Sequence, residues 1–141
     1  LSRQDCDISE IDSIESSIKL HQPWAIINAA GFVRVDDAET EAEACLRDNA
    51  LGPQNLAIAC NKHGIRLINF SNDLVFDGKK PTGYVESDLP NPLNVYGHSK
   101  AQAEVLIQKE YSSSLIIRTS AFFGPWDEYN FVHYVRKALS N

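Results

Sequence analysis

With 141 residues, 43% of them hydrophobic and 23% charged, the sequence has the length and balance of one domain that can bury a core unaided. Thirteen Lys and Arg against nineteen Asp and Glu give a net charge of −6, and no basic cluster exceeds Lys79-Lys80, which argues against a nucleic-acid partner. No run of about eighteen apolar residues marks a membrane span, and Leu1 to Asp7 lacks the apolar stretch of a secretory signal, so a cytoplasmic location is expected.

Ser9 to His21 reads as a helix that opens on a Ser9-x-x-Asp12 capping box and spaces Ile11, Ile14 and Ile18 on one face. Trp24 to Asn28 then forms the first apolar run. Glu39 to His63 carries Ala42, Cys45, Leu46, Asn49, Ala50, Leu56 and Ala59 at helical spacing and stops at Gly64, a suitable C′ residue. Arg66 to Phe70 is the second apolar run. Ser99 to Glu110 is helical with Ala103, Leu106 and Ile107 inward, and Leu115 to Arg118 is the third run. Glu128 to Leu139 closes the chain as a helix bearing Phe131, Val132, Val135 and Leu139. The apolar runs are short and nearly continuous, as in strands covered on both faces. Alternation of strand and helix predicts an α/β fold with a doubly wound parallel sheet.

Ligands of such sheets bind beyond the carboxyl ends of the strands. Here those ends carry Asn28-Ala29-Ala30-Gly31, Ser71-Asn72-Asp73 and Thr119-Ser120, all small or short polar residues that let a flat ligand approach the backbone. Tyr96 and Lys100 lie four apart, on one face of a helix. A neighbouring ammonium is expected to draw the phenol's pKa down, making an acid–base pair.

Other residues have simpler readings. Cys6, Cys45 and Cys60 are odd in number and widely spaced, which suits buried thiols better than disulfides or a metal knuckle. Asp36-Asp37 and Glu39, Glu41 and Glu43 suit an acidic helix start, and the four histidines show no ligand spacing, so no metal is expected. Trp24 and Trp126 read as packing residues.

The segment Pro92-Leu93-Asn94-Val95-Tyr96-Gly97-His98-Ser99-Lys100, preceded by Phe70-Ser71-Asn72-Asp73-Leu74-Val75-Phe76-Asp77-Gly78, resembles extended short-chain dehydrogenases/reductases acting on nucleotide sugars, in the dTDP-4-dehydrorhamnose reductase branch. Asn28-Ala29-Ala30, Asn49-Ala50, Gly52-Pro53-x-Asn55-Leu56 and Arg118-Thr119-Ser120 are similar to that branch in the same order. The resemblance implies a Rossmann-like sheet and NADPH- or NADH-dependent reduction of a 4-keto nucleotide sugar. Tyr96 would give the proton to the substrate oxygen, and Lys100 would assist it and hold the nicotinamide ribose. Asp7 and Ile8 would meet the adenine; Ala29, Ala30, Gly31 and Asn49 would line the cofactor's path. Ser71, Thr119 and Ser120 would lie near the nicotinamide, and Val35, Phe122 and Asn130 nearer the sugar. Asp7 and Asn49 fit equally as a cap and a helix-surface polar residue. A homodimer through the long central helices is compatible with the family.

Two departures stand out. Asn72 occupies the position where the family has a Thr or Ser hydroxyl, which predicts a rate loss of about one to three powers of ten if its amide donor is misplaced. Ser71 cannot substitute for it, because neighbours on a strand face opposite ways. The seven glycines form no Gly-x-Gly-x-x-Gly loop, so residues 1–141 are expected to be a partial NAD(P)-binding Rossmann domain lacking the first βαβ unit, weak in dinucleotide binding on its own. Two further readings stay open. One is a non-catalytic cofactor-binding regulatory subunit, like the β subunit of methionine adenosyltransferase; the other is an epimerase of the same superfamily. A dehydratase is disfavoured, since Asn72-Asp73 supplies one carboxylate rather than two.

Overall fold

Three short apolar runs pair into one sheet, and the helical crossovers between them make it parallel. The computed structural model describes residues 1–122, 124 and 130–140. β1 (Ala25–Asn28), β2 (Arg66–Asn72) and β3 (Leu115–Thr119) are neighbours in that order. Ala25 lies in register with Arg66 and Asn28 with Asn69, while Ile68 meets Leu115 and Asn72 meets Thr119. α1 (Ile11–His21) precedes β1. α2 (Ala42–Leu46), a π turn (Arg47–Leu51) and α3 (Gly52–His63) join β1 to β2; α4 (Val95–Glu110) joins β2 to β3, and α5 (Phe131–Leu139) follows. This parallel sheet with flanking helices is the expected architecture. All three strands therefore deliver their carboxyl ends to one edge, where residues 28–31, 71–73 and 119–120 gather.

The core lies on the face that carries Ile26, Leu67 and Ile116. There Ile14 and Ile18 of α1, Leu56, Ala59 and Cys60 of α3, and Ala103 and Ile107 of α4 pack together. Coverage of both faces, expected from the apolar runs, is not seen among the described residues: Ile27 and Leu115, on the other face, are 63% and 54% exposed. Trp24, expected to pack, is likewise solvent-facing. Phe131, Val132 and Leu139 leave α5 with an exposed apolar stripe. Trp126, Glu128 and Asn141 lie outside the described residues.

Local structure departs from the sequence pattern at three helices. α1 starts at Ile11 behind Glu10 without a side-chain cap. Ser9 instead gives its hydroxyl to Asp7 Oδ1 at 2.8 Å, because a charged acceptor two residues upstream outcompetes the capping box. The long helix expected over Glu39 to His63 is broken into a 3₁₀ turn (Asp37–Glu39), α2, the π turn and α3. The π turn buries three consecutive residues, Asp48, Asn49 and Ala50, which one face of a regular α-helix cannot do. Its far end does stop at Gly64, which adopts φ 67° while Ile65 N–H closes on Cys60 O at 2.9 Å.

α4 begins at Val95, a turn before the expected Ser99, because Asn94 Oδ1 accepts the Gly97 N–H at 2.7 Å. Cys45 and Cys60 are buried and Cys6 half-buried, all as free thiols. Burial pushes the Cys60 thiol up to about 11. Among the described residues, no helix is long and apolar enough to cross a membrane, and no three His, Cys, Asp or Glu side chains gather to hold a metal ion.

Candidate active site

The capped start of α4 presses against the exit of β2. Val95 N–H donates to Glu39 Oε1 at 2.9 Å, which ties the helix start to the 3₁₀ turn after β1. Gly97 has no room for a side chain, since a Cβ there would collide with the Leu74 carbonyl. That close approach places Tyr96 beside the segment bearing Asn72, whose side-chain amide lies near enough to favour the phenol's anion. One turn on, Lys100 Nζ donates to the Phe70 carbonyl of β2 at 2.8 Å. Between them, the Ser99 hydroxyl donates to the Tyr96 carbonyl at 2.7 Å.

Burial dominates the electrostatics here. The Tyr96 phenol is held above the usual tyrosine value, first because it is desolvated and then because Cys45 and Asp73 disfavour its anion; the Asn72 amide pulls the other way. This reverses the expectation that Lys100 draws the phenol down. The ammonium is spent on the Phe70 carbonyl, and desolvation holds its own pKa below the usual lysine value against the pull of Cys45 and Glu104. A buried phenol that keeps its proton is suited to donate it.

Two polar atoms beside this pair lack partners among the described residues: Ser71 Oγ and Asn72 Oδ1, both buried. An unpaired buried polar atom costs about 1–3 kcal/mol, so a ligand or a water is expected to meet each of them. Ser71 shares the core face with Leu67 and Asn69, and Asn72 faces the other way, as strand alternation requires. Thr119 lies opposite Asn72 in register and is half-buried, whereas Ser120 is exposed. Phe122 is also exposed, its ring edge-on to Phe70 at 6.0 Å. Asn130 caps α5, accepting the His133 N–H at 2.8 Å and donating to the Gly124 carbonyl at 3.2 Å. Val35 is half-buried in the loop after β1.

A second group lines a cleft of about 780 Å³ beside β1, with Asp7, Ile8, Ala29, Ala30 and Gly31 on its walls. Asp7 is held in its anionic form by the N–H and hydroxyl of Ser9, and its other oxygen faces Arg3 Nε at 3.3 Å. Arg3 also grips the buried Asp48 through both terminal nitrogens, at 3.2 and 2.9 Å. Burial alone would raise the Asp48 pKa, but hydrogen bonds from Arg47 and Arg3 hold it below the usual carboxylate value.

Asn49 joins the two groups. Its Oδ1 accepts the Phe32 N–H at 2.8 Å, and its Nδ2 donates to Ser99 Oγ at 3.1 Å and Cys45 Sγ at 3.6 Å. Both ends of the amide are thus committed within the protein and the residue is 1% exposed, so it is not the helix-surface polar residue that sequence also allowed. Gly31 sits against it, where an added Cβ would lie 2.6 Å from Asn49 Oδ1.

The sequence reading missed the Asn94 cap, the Ser99–Cys45 contact and the Glu104–Arg118 pair. The first carried a signal, an Asn three residues before a helical Gly. The others depend on contacts between segments distant in sequence.

A family model described as the RmlD substrate binding domain matches residues 1–141. The chain is 39% identical over its full length to a dTDP-4-dehydrorhamnose reductase of Aggregatibacter actinomycetemcomitans, covering 48% of that protein. It is 34% identical, over 88% of its length, to a dTDP-4-keto-6-deoxy-D-glucose reductase of Streptomyces niveus, of which it covers 43%. The crystal structure of a Bacillus anthracis dTDP-4-dehydrorhamnose reductase in complex with NADP superposes on the whole chain with a TM-score of 0.92 at 32% identity, covering 50% of that chain. The chain thus spans about half the length of the relatives it matches.

Proposed function

The chain belongs to the RmlD substrate binding domain family, and on that premise we propose that it supplies the acid–base centre and part of the cofactor cleft of an NAD(P)H-dependent reductase of a 4-keto nucleotide sugar. The observation that carries this is the Tyr96–Lys100 pair, set against a strand end with two unsatisfied buried polar atoms. Relatives named as reductases of dTDP-4-keto sugars, one solved with NADP, support the substrate and cofactor classes.

The residues present fit a dinucleotide. Ser71 Oγ offers a buried polar atom without a partner among the described residues, and Ala29, Ala30 and Gly31 leave a wall with no large side chain. NADPH or NADH, when bound, supplies the hydride. This chain's residues do the rest. Lys100 and Ser71 would orient the nicotinamide end, and Ile8 with Asp7 the adenine end.

Tyr96, kept protonated by its buried setting, donates its phenolic proton to the sugar oxygen as the carbonyl becomes an alcohol. The Asn72 amide lies near enough to pull the phenol's pKa down against its burial, so it would steady the phenolate left behind. An amide can therefore serve where the family has a hydroxyl, though it relays no proton. Thr119 and Ser120 close the strand-end side, with Val35, Phe122 and Asn130 toward the sugar.

The test uses the full-length protein with NADPH deuterated at C4 and a dTDP-4-keto-6-deoxy sugar. Deuterium appearing at C4 of the sugar product is the expected result. Tight cofactor binding with no transfer to any 4-keto nucleotide sugar would replace the reductase reading with that of a binding subunit, the reading to which an Asn72 that relays no proton lends itself.

A further inference from the structure

The three segments that carry the candidate chemistry leave the sheet separately: Asn72 at the end of β2, Tyr96 and Lys100 on α4, Thr119 and Ser120 at the end of β3. One side chain touches all three. Arg118 stands on β3 next to Thr119, and its Nε and Nη2 meet Glu104 Oε1 and Oε2 at 2.9 and 2.6 Å. Glu104 is one turn beyond Lys100 on α4 and 7% exposed. The guanidinium carbon also lies 5.0 Å from the centroid of the Phe76 ring, in the segment that follows Asn72. Phe76 stacks on Tyr84 at 4.0 Å, Tyr84 donates to Asp77 Oδ1 at 2.8 Å, and Arg118 Nη1 reaches the Glu86 carbonyl at 3.5 Å.

We propose that Arg118, through its planar fork on Glu104 and its cation–π contact with Phe76, is a positioning residue that sets Tyr96, Lys100 and Asn72 in register with the end of β3. The proposal rests on the reductase reading for its kinetic consequence but not for its geometry.

A buried ion pair is a poor device for stability alone, since two apolar side chains of similar volume serve as well or better. A planar, bidentate contact that also lies over a ring face fixes distance and direction together, which an apolar pair does not. Lysine would keep the charge but lose the fork. The pair also explains how a carboxylate survives nearly buried on the helix that carries Lys100: both of its oxygens are occupied by Arg118.

The experiment compares full-length wild type with Arg118→Lys and with the double variant Arg118→Met/Glu104→Met, which removes both charges and keeps the fold from depending on an unpaired one. Two readouts are taken: steady-state reduction, and the ¹³Cζ NMR resonance of Tyr96, assigned with Tyr96→Phe, with exposed Tyr134 as control. The expected result is a fall in kcat of about tenfold or more in both variants, with KM for the cofactor within about twofold of wild type. The Tyr96 resonance moves and that of Tyr134 does not. The proposal is overturned if both variants keep wild-type kcat and an unmoved Tyr96 resonance. It is equally overturned if Arg118→Lys lowers thermal stability while the refolded double variant regains full kcat, since that marks a structural pair only. Should wild type show no turnover, the Tyr96 resonance still decides the positioning role, while the reductase reading fails separately.

Discussion

On the β2–α4–β3 side, each candidate side chain has its place fixed by the protein. Asn94 caps the helix, Lys100 reaches a strand carbonyl, Asn72 lies near the phenol, and Arg118 meets Glu104 of α4 and the Phe76 ring. On the β1 side, Ile27 is 63% exposed, and the N-terminal segment is held over the cleft by the exposed Arg3 on Asp7 and Asp48 and by Asn55 Nδ2 on the Ile8 and Ser9 carbonyls. The contrast separates two tasks. Proton transfer, on the proposed reading, needs a preset geometry, and the closed side holds the candidate residues for it. Dinucleotide binding also needs phosphate contacts, and no glycine-rich loop is among these residues to make them.

The largest difference expected between the two sides is in cofactor affinity. Hydrogen bonds to a charged phosphate contribute about 1.5–3 kcal/mol each, so the 141-residue chain should bind NADPH at least about a hundredfold more weakly than the full-length protein. Calorimetric titration of both measures this, and equal affinity would erase the contrast.

Next is the joint between the sides. Gly31→Ala pushes a Cβ into Asn49 Oδ1 and breaks its bond to Phe32 N–H, which should cost about 1–3 kcal/mol of stability in urea unfolding. A neutral Gly31→Ala would mean that the sides are not coupled through Asn49.

Asp48 gives a pH test of the open side. Its folded pKa is below the ordinary value, so its contribution is fully present above about pH 4 and is lost as pH falls through the folded value. Asp48→Asn should therefore lower stability at neutral pH and flatten the acid limb of the stability curve. An unchanged acid limb would mean that the Arg3 and Arg47 contacts are too solvent-screened to count. The smallest effect is at the helix cap, where Asn94→Ala should cost about 1 kcal/mol and disturb Tyr96 without moving β1.

The same contrast marks what could be read in the sequence. The parallel α/β order was legible because Ile26-Ile27, Leu67-Ile68 and Ile116-Ile117 form apolar runs separated by helical spacing. The Tyr96–Lys100 pair was legible because four residues make about one helical turn. The π turn was not, because nothing local distinguishes Arg47 to Leu51 from an ordinary helix; Ser99, Cys45 and Phe32 make it worthwhile by meeting Asn49. The sign of the Tyr96 shift was not legible either. A sequence shows that an ammonium is one turn away, but not that the phenol is desolvated and the ammonium already held by Phe70. Trp24 failed for a related reason: aromaticity favours burial, yet among the described residues nothing covers it.

The central claim is that Tyr96 is the proton donor of a reductase. Its most direct test is Tyr96→Phe in the full-length protein, followed by turnover of a 4-keto nucleotide sugar alongside NADPH affinity. The account predicts a fall in kcat of about a hundred- to ten-thousandfold with cofactor affinity retained. Turnover within about twofold of wild type would contradict it.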